Sequence, residues 1–141
     1  MLQPLIRKAY SVELNMPTIA VGQRYTFQDV PQLRGGTIFV NGVSAFSASG
    51  LTVTSNQKNV VTAGGALNVV VYLVVGETED IFAMPYSDLI SQLNGGLIRT
   101  FENKQINLVK SYCVLNSVTG VTAGESLFFN FYYKDAKERN V

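Results

Sequence analysis

Hydrophobic side chains are most concentrated in one run near the middle of the chain, Leu67 to Val75, reading LNVVVYLVV. Leu67, Val69, Val71, Leu73 and Val75 make one alternating row, and Val70, Tyr72 and Val74 make the other; only Asn68 is polar. Valine loses χ1 freedom against the preceding turn of a helix, so the run is a poor helix. Apolar rows on both sides predict a central strand with both faces covered.

Shorter alternating stretches flank this run. In residues 7–14, Tyr10, Val12 and Leu14 share one side and Ala9, Ser11 and Glu13 the other, which predicts a half-buried strand closed by Pro17. Residues 21–28 repeat the pattern with Tyr25 and Phe27 inward. DVPQLRGG (29–36) reads as a turn. Thr37 to Phe46 predicts one longer strand, with Asn41-Gly42 as a bulge in it, since hairpin arms there would hold only four residues each. Residues 47–65 are rich in Ser, Thr, Asn and Gly and predict surface-running chain with one or two short edge strands.

After the acidic turn GETED (76–80), Ile81 to Met84 predicts a strand ended by Pro85. Ser87-Asp88 offers an N-cap; Leu89, Ile90 and Leu93 lie on one helical face, and Asn94-Gly95-Gly96 supplies a stop. A short helix near 87–94 follows. Residues 97–101 suit a helix or a strand. Ile106 to Leu115 predicts a long strand, and 116–125 a turn-rich link holding Gly120 and Gly124. Ser126 to Lys134 alternates clearly, with Leu127, Phe129, Phe131 and Tyr133 on one face.

Seven or eight strands and one short helix, with no strand–helix rhythm, make the class all-β: an antiparallel β-sandwich. The long connections at 47–65 and 85–104 favour a single jelly roll over an immunoglobulin-like sandwich. The organisation is an N-terminal arm at 1–7, one domain over 8–134 and a C-terminal tail at 135–141.

Composition narrows the function classes. Of 141 residues, 47% are hydrophobic and 15% charged, below the usual quarter, so much of the surface is neutral or apolar and suited to contacts with other chains. A net charge of +1 with scattered basic residues supplies no phosphate track. The start, MLQPLIRK, lacks the apolar core of a secretory signal, and the longest apolar run is about half a membrane span. The reading is a protein made in the cytoplasm.

Histidine is absent, which removes Ser-His-Asp and Cys-His arrangements and the commonest metal ligand. The single cysteine, Cys113, excludes an internal disulfide and reads as a packed thiol. Arg34-Gly35-Gly36 is a lone RGG and reads as a turn. Glu77, Glu79 and Asp80 match no calcium-loop spacing, and neither Gly64-Gly65 nor Asn94-Gly95-Gly96 has the context of a phosphate cradle. Phe128, Tyr132 and Tyr133 read either as core and interface packing or as an aromatic platform for a sugar or base. No catalytic, cofactor-binding or metal-ligating residue is assigned, no cofactor is expected, and an enzyme is disfavoured.

The order of segments carries a resemblance. QRYTFQDVPQLRGGTIFVNGVSAF (23–46) is followed by a polar Ser/Thr stretch, the apolar strand and a short acidic turn. Then come IFAMPYSDL (81–89), LNGGLIRTFENKQINLVKSYCVL (93–115) and ESLFFNFYYK (125–134). Over residues 8–134 this resembles small single jelly-roll, penton-type capsid proteins of icosahedral tailless bacteriophages, those with an internal membrane and double jelly-roll major capsid proteins. The resemblance implies a structural virion protein, a penton subunit forming homopentamers at the five-fold vertices, made in the host cytoplasm. It implies as partners other copies of the chain and the major capsid protein, with a spike protein and the internal viral membrane as further candidates and no specific nucleic acid. The arm at 1–7 and the tail at 135–141 are then expected to be contact segments that order on assembly. A minor coat or spike protein of the same virion, or a ligand- or glycan-binding β-sandwich module, are the alternatives.

Overall fold

The computed structural model describes residues 8–34, 38–46, 60–61, 63–76, 80–90 and 99–135. Among these residues eight strands are present: β1 (Lys8–Asn15), β2 (Arg24–Thr26), β3 (Ile38–Phe46), β4 (Val69–Val74), β5 (Ile81–Pro85), β6 (Arg99–Lys104), β7 (Tyr112–Leu115) and β8 (Ser126–Asp135). One α-helical turn, α1 (Ala63–Ala66), precedes β4.

The pairing is nested and antiparallel throughout: β1 with β8, β2 with β7, β3 with β6, β4 with β5. Two more ladders, β3 with β8 and β4 with β7, join these pairs into two four-stranded sheets. The first sheet has the order β1-β8-β3-β6, the second β2-β7-β4-β5. The chain is thus an all-β sandwich of two antiparallel sheets.

Alternation along each strand builds the core between them. Val12, Leu14, Val43, Leu127, Phe129 and Phe131 enter it from the first sheet; Tyr25, Val69, Val71, Leu73, Cys113 and Leu115 enter from the second. Phe27, just past β2, sets its ring edge on Phe129 at 5.1 Å and on Phe131 at 6.0 Å, which ties the layers together at the aromatic row of β8. Each such side chain contributes about 1.5–3 kcal/mol by leaving water.

The Asn41-Gly42 bulge is observed: β3 runs unbroken, and its register against both β6 and β8 shifts between Val40 and Gly42. The extra residue keeps Val40 and Val43 both inward, where strict alternation would turn one of them out.

Four expectations are corrected. The central strand is fully covered on one face only: Val69, Val71, Leu73 and Val75 are in the core, whereas on the other face Val74 is buried but Val70 and Tyr72 are half-buried, and Leu67 is 70% exposed in the turn before β4. Ile106 to Leu115 is not one strand. A 3-10 turn fills Leu108–Lys110, held by Asn107, whose side chain accepts from the Lys110 N–H. Ser111 Oγ accepts the Val74 N–H at 2.9 Å and donates to the Asn107 carbonyl at 2.8 Å, so a side chain stands where a backbone ladder was expected.

The helix near 87–94 is a single 3-10 turn over Tyr86–Leu89, flanked by extended Pro85 and Ile90; Ile90 bridges to Ala45, and residues 91–94 lie outside the described residues. Within 47–65, Val60 and Val61 are buried rather than surface-running, and α1 follows; residues 47–59 lie outside the described residues, as do the 1–7 arm and residues 136–141. Of residues 97–101, open between helix and strand, 99–101 lie in β6 and 97–98 lie outside the described residues.

Candidate interaction surfaces

The two sheets present outward faces of different chemistry. On the second sheet the register lines up Arg24, Val114, Val70 and Pro85 in one row, Thr26, Tyr112, Tyr72 and Ala83 in the next, and Val74 with Ile81 at the far end. All but Arg24 and Thr26 are apolar or aromatic. Ile81 is 52% exposed, and Val70, Tyr72 and Val114 are half-buried. Tyr72 and Tyr112 stack at 5.0 Å, and the Arg24 guanidinium lies 4.2 Å from the Tyr112 ring centre, an orientation that cation–π attraction favours.

On the first sheet the outward positions mix polar groups with Ala9, Phe128 and Tyr132, and several of the polar groups are bonded to one another. Ser11 donates to Asn130 at 2.6 Å across the β1–β8 pair. Ser126 donates to the Glu13 carboxylate at 2.6 Å and accepts from Asn15 at 2.9 Å. Ser44 and the Tyr132 hydroxyl are 3.3 Å apart.

At one end of the second sheet, Val21 bridges to Leu115 and the loop at 116–121 folds over Asn68, whose side chain donates to the Thr119 carbonyl at 2.6 Å. Val21 (63%), Leu67 and Val118 (40%) are exposed there. At the opposite end a cavity of about 300 Å³ lies between 29–34 and 105–109, with apolar Val30, Leu33, Ile106 and Leu108 in its wall and the Asp29–Arg34 ion pair (3.3 Å) at its rim. A second, of about 400 Å³, runs beside β1 and the 28–31 segment.

Phe128 and Tyr132 lie on the outward row of β8, while Tyr133 lies on the inward row and packs against the core, so the three rings do not form one platform. Cys113 is fully buried, and that burial pushes its thiol pKa far above the ordinary value. Asp80 leads into β5; Glu77 and Glu79 lie outside the described residues, as do Gly35-Gly36 and 94–96. Gly65 packs against Gly120 instead of facing a loop cavity: a Cβ at Gly65 would lie 2.5 Å from the Gly120 carbonyl oxygen. Among the described residues, no three His, Cys, Asp or Glu side chains are grouped to hold a metal ion, and no helix is long and apolar enough to cross a membrane.

The apolar outward face escaped the sequence reading because a strand buried on both sides and a strand with one apolar side left half-open share the same pattern. The pairing of Val70 with Val114 and Pro85, and of Tyr72 with Tyr112 and Ala83, is what distinguishes them. No protein-family model, curated protein or solved structure matches this chain.

Proposed function

We propose that this protein is a structural virion component, a penton-type subunit at the five-fold vertices of an icosahedral bacteriophage capsid, with a single jelly-roll fold. The observation that carries this reading is the strand order. Nested pairs β1/β8, β2/β7, β3/β6 and β4/β5, divided alternately between two sheets, arise when one long antiparallel hairpin is rolled over itself. A brick of this kind is closed on its inside and meets its neighbours through flat outward faces and end loops.

The surface supports an assembly role. Low charge, an apolar outward face on the second sheet and a mixed aromatic and polar one on the first suit contacts that are buried permanently. In this reading the work is mechanical: the subunit binds copies of itself and the major capsid protein and catalyses nothing.

Native mass spectrometry of the full chain and electron microscopy of the particle that contains it test the proposal. The expected result is a five-copy ring whose density fills the vertices. A stable monomer that binds a glycan or turns over a substrate, and that occupies no vertex, overturns it.

A further inference from the structure

We propose that the outer edge of β1 is a docking site for an extended segment of a different protein, which adds there as an antiparallel strand of the first sheet and sets a lysine or arginine beside Glu13. The contact does not depend on the vertex reading.

Backbone geometry defines the edge. Met16, just past β1, donates its N–H to the Glu125 carbonyl and accepts the Gly124 N–H, so its polar groups point to the β8 side. Alternation turns those of Leu14, Val12 and Tyr10 toward β8 as well, and those of Glu13, Ser11 and Ala9 toward the open margin. Among the described residues, no backbone group bonds to Ala9, Ser11 or Glu13 on that side.

This edge is also not blunted. β1 runs for eight residues in continuous register and holds no proline. The other sheet margins are shorter: β2 has three residues, β5 has five and ends in Pro85, and β6 has six and pairs irregularly with β3. A long, regular edge is a template for a further strand.

The flanks of the edge set the chemistry of its occupant. A groove of about 400 Å³ separates β1 from 28–31. Side chains of an added strand opposite Tyr10 and Val12 turn into this groove against Val30 and Pro31, which suits small β-branched residues. Those opposite Ser11 and Glu13 turn outward. Across the groove, the Asp29 carboxylate is met by Arg34 at 3.3 Å. Glu13 is exposed and has the neutral Ser126 hydroxyl as partner, with no cation among the described residues. A basic residue on the incoming strand supplies one. A second copy of β1 does not: the parity of antiparallel pairing lets its Ala9, Ser11, Glu13 or Asn15 face Glu13, and none of these is basic.

The test titrates the end-capped peptide TVKVTVT, which runs antiparallel to β1 from Asn15 back to Ala9, into the isotope-labelled full chain. Saturable amide shifts over 9–15 and slowed hydrogen exchange at Ala9, Ser11 and Glu13 are expected. Ser11→Pro removes an N–H that the β8 ladder does not use, so it should keep the fold and abolish binding. Asn130→Ala loses the same Ser11–Asn130 side-chain bond and should bind like wild type. The peptide TVEVTVT should bind wild type about three- to tenfold more weakly than TVKVTVT, an order that Glu13→Lys should reverse. Circular dichroism and thermal melting check folding; should Ser11→Pro unfold, the charge exchange decides. No saturable shift up to about 1 mM peptide, shifts away from β1, or binding that survives in folded Ser11→Pro overturns the site. Equal binding of both peptides overturns the basic partner. A wild-type chain that dimerises in sedimentation and that Ser11→Pro returns to monomer gives the edge to a second copy and overturns the choice of partner. None of these outcomes bears on occupancy of the vertices, which microscopy reads separately.

Discussion

The hydroxyl of Tyr86 makes two hydrogen bonds with the backbone of Phe128, accepting its N–H at 3.1 Å and donating to its carbonyl at 3.2 Å. Tyr86 is fully buried, and its ring meets Phe129 edge-on at 5.3 Å. A side chain from the turn after β5 in the second sheet thus completes the pairing of β8 in the first, near the end of β3. Tyr86→Phe keeps the ring and removes both bonds. The expected loss is about 1–3 kcal/mol, with the calorimetric melting temperature falling by roughly 3–10 °C. An unchanged melting temperature would show that these bonds add nothing.

Two adjacent glycines in α1 should behave oppositely. A methyl group at Gly64 would meet nothing within 4 Å, so Gly64→Ala should leave stability unchanged or raise it by up to about 1 kcal/mol through helix propensity. At Gly65 the same methyl would press on the Gly120 carbonyl, and Gly120 itself sits at φ +79°, a conformation it cannot easily leave. Gly65→Ala should cost about 1–3 kcal/mol. Urea denaturation of the pair reads the difference directly.

Ser111 is buried between the Val74 N–H and the Asn107 carbonyl. Ser111→Ala withdraws the acceptor from that N–H inside the sandwich, for an expected loss of about 1–3 kcal/mol. Amide hydrogen exchange at Val74 should accelerate more than at Val71. Equal protection at both sites would mean that another acceptor takes over.

Cys113 gives stability a pH dependence in the alkaline range. Burial raises its folded-state pKa, so the unfolded thiol ionises first as pH passes about 9. The unfolded state then holds fewer protons, and the group's contribution, complete below that pH, is lost above it at up to about 1.4 kcal/mol per pH unit. Cys113→Ala should flatten this part of the profile between pH 9 and 10.5 in chemical denaturation. In the wild type at pH 8, a thiol reagent should label Cys113 only at the rate of unfolding.

Strand positions were legible wherever apolar and polar residues alternate, as at Tyr10–Leu14, Tyr25–Phe27 and Leu127–Phe131, because a pleated strand between a core and water imposes period two. The bulge was legible from Asn41-Gly42 by its distance from either strand end. Segments set by a distant side chain were not. Ser111 breaks an apolar run by bonding Val74, 37 residues away, and Tyr86 organises its turn by reaching Phe128, 42 residues on; neither partner has a local sign. The outward apolar face was hidden for a related reason: Val70, Val114 and Pro85 become one surface only through register. Burial of Val60 and Val61 was masked by their polar surroundings.

The last of the described strands in sequence, β8, lies between β1 and β3, so the first sheet has no middle until residues 126–135 exist. A nascent chain that has not reached them would hold β1 and β3 as two separate ribbons with bare edges, open to pairing with other molecules. Folding therefore waits on β8 and is dominated by long-range closure, slow for a sandwich of this size. Early termination anywhere before β8 yields sticky fragments instead of a smaller working brick.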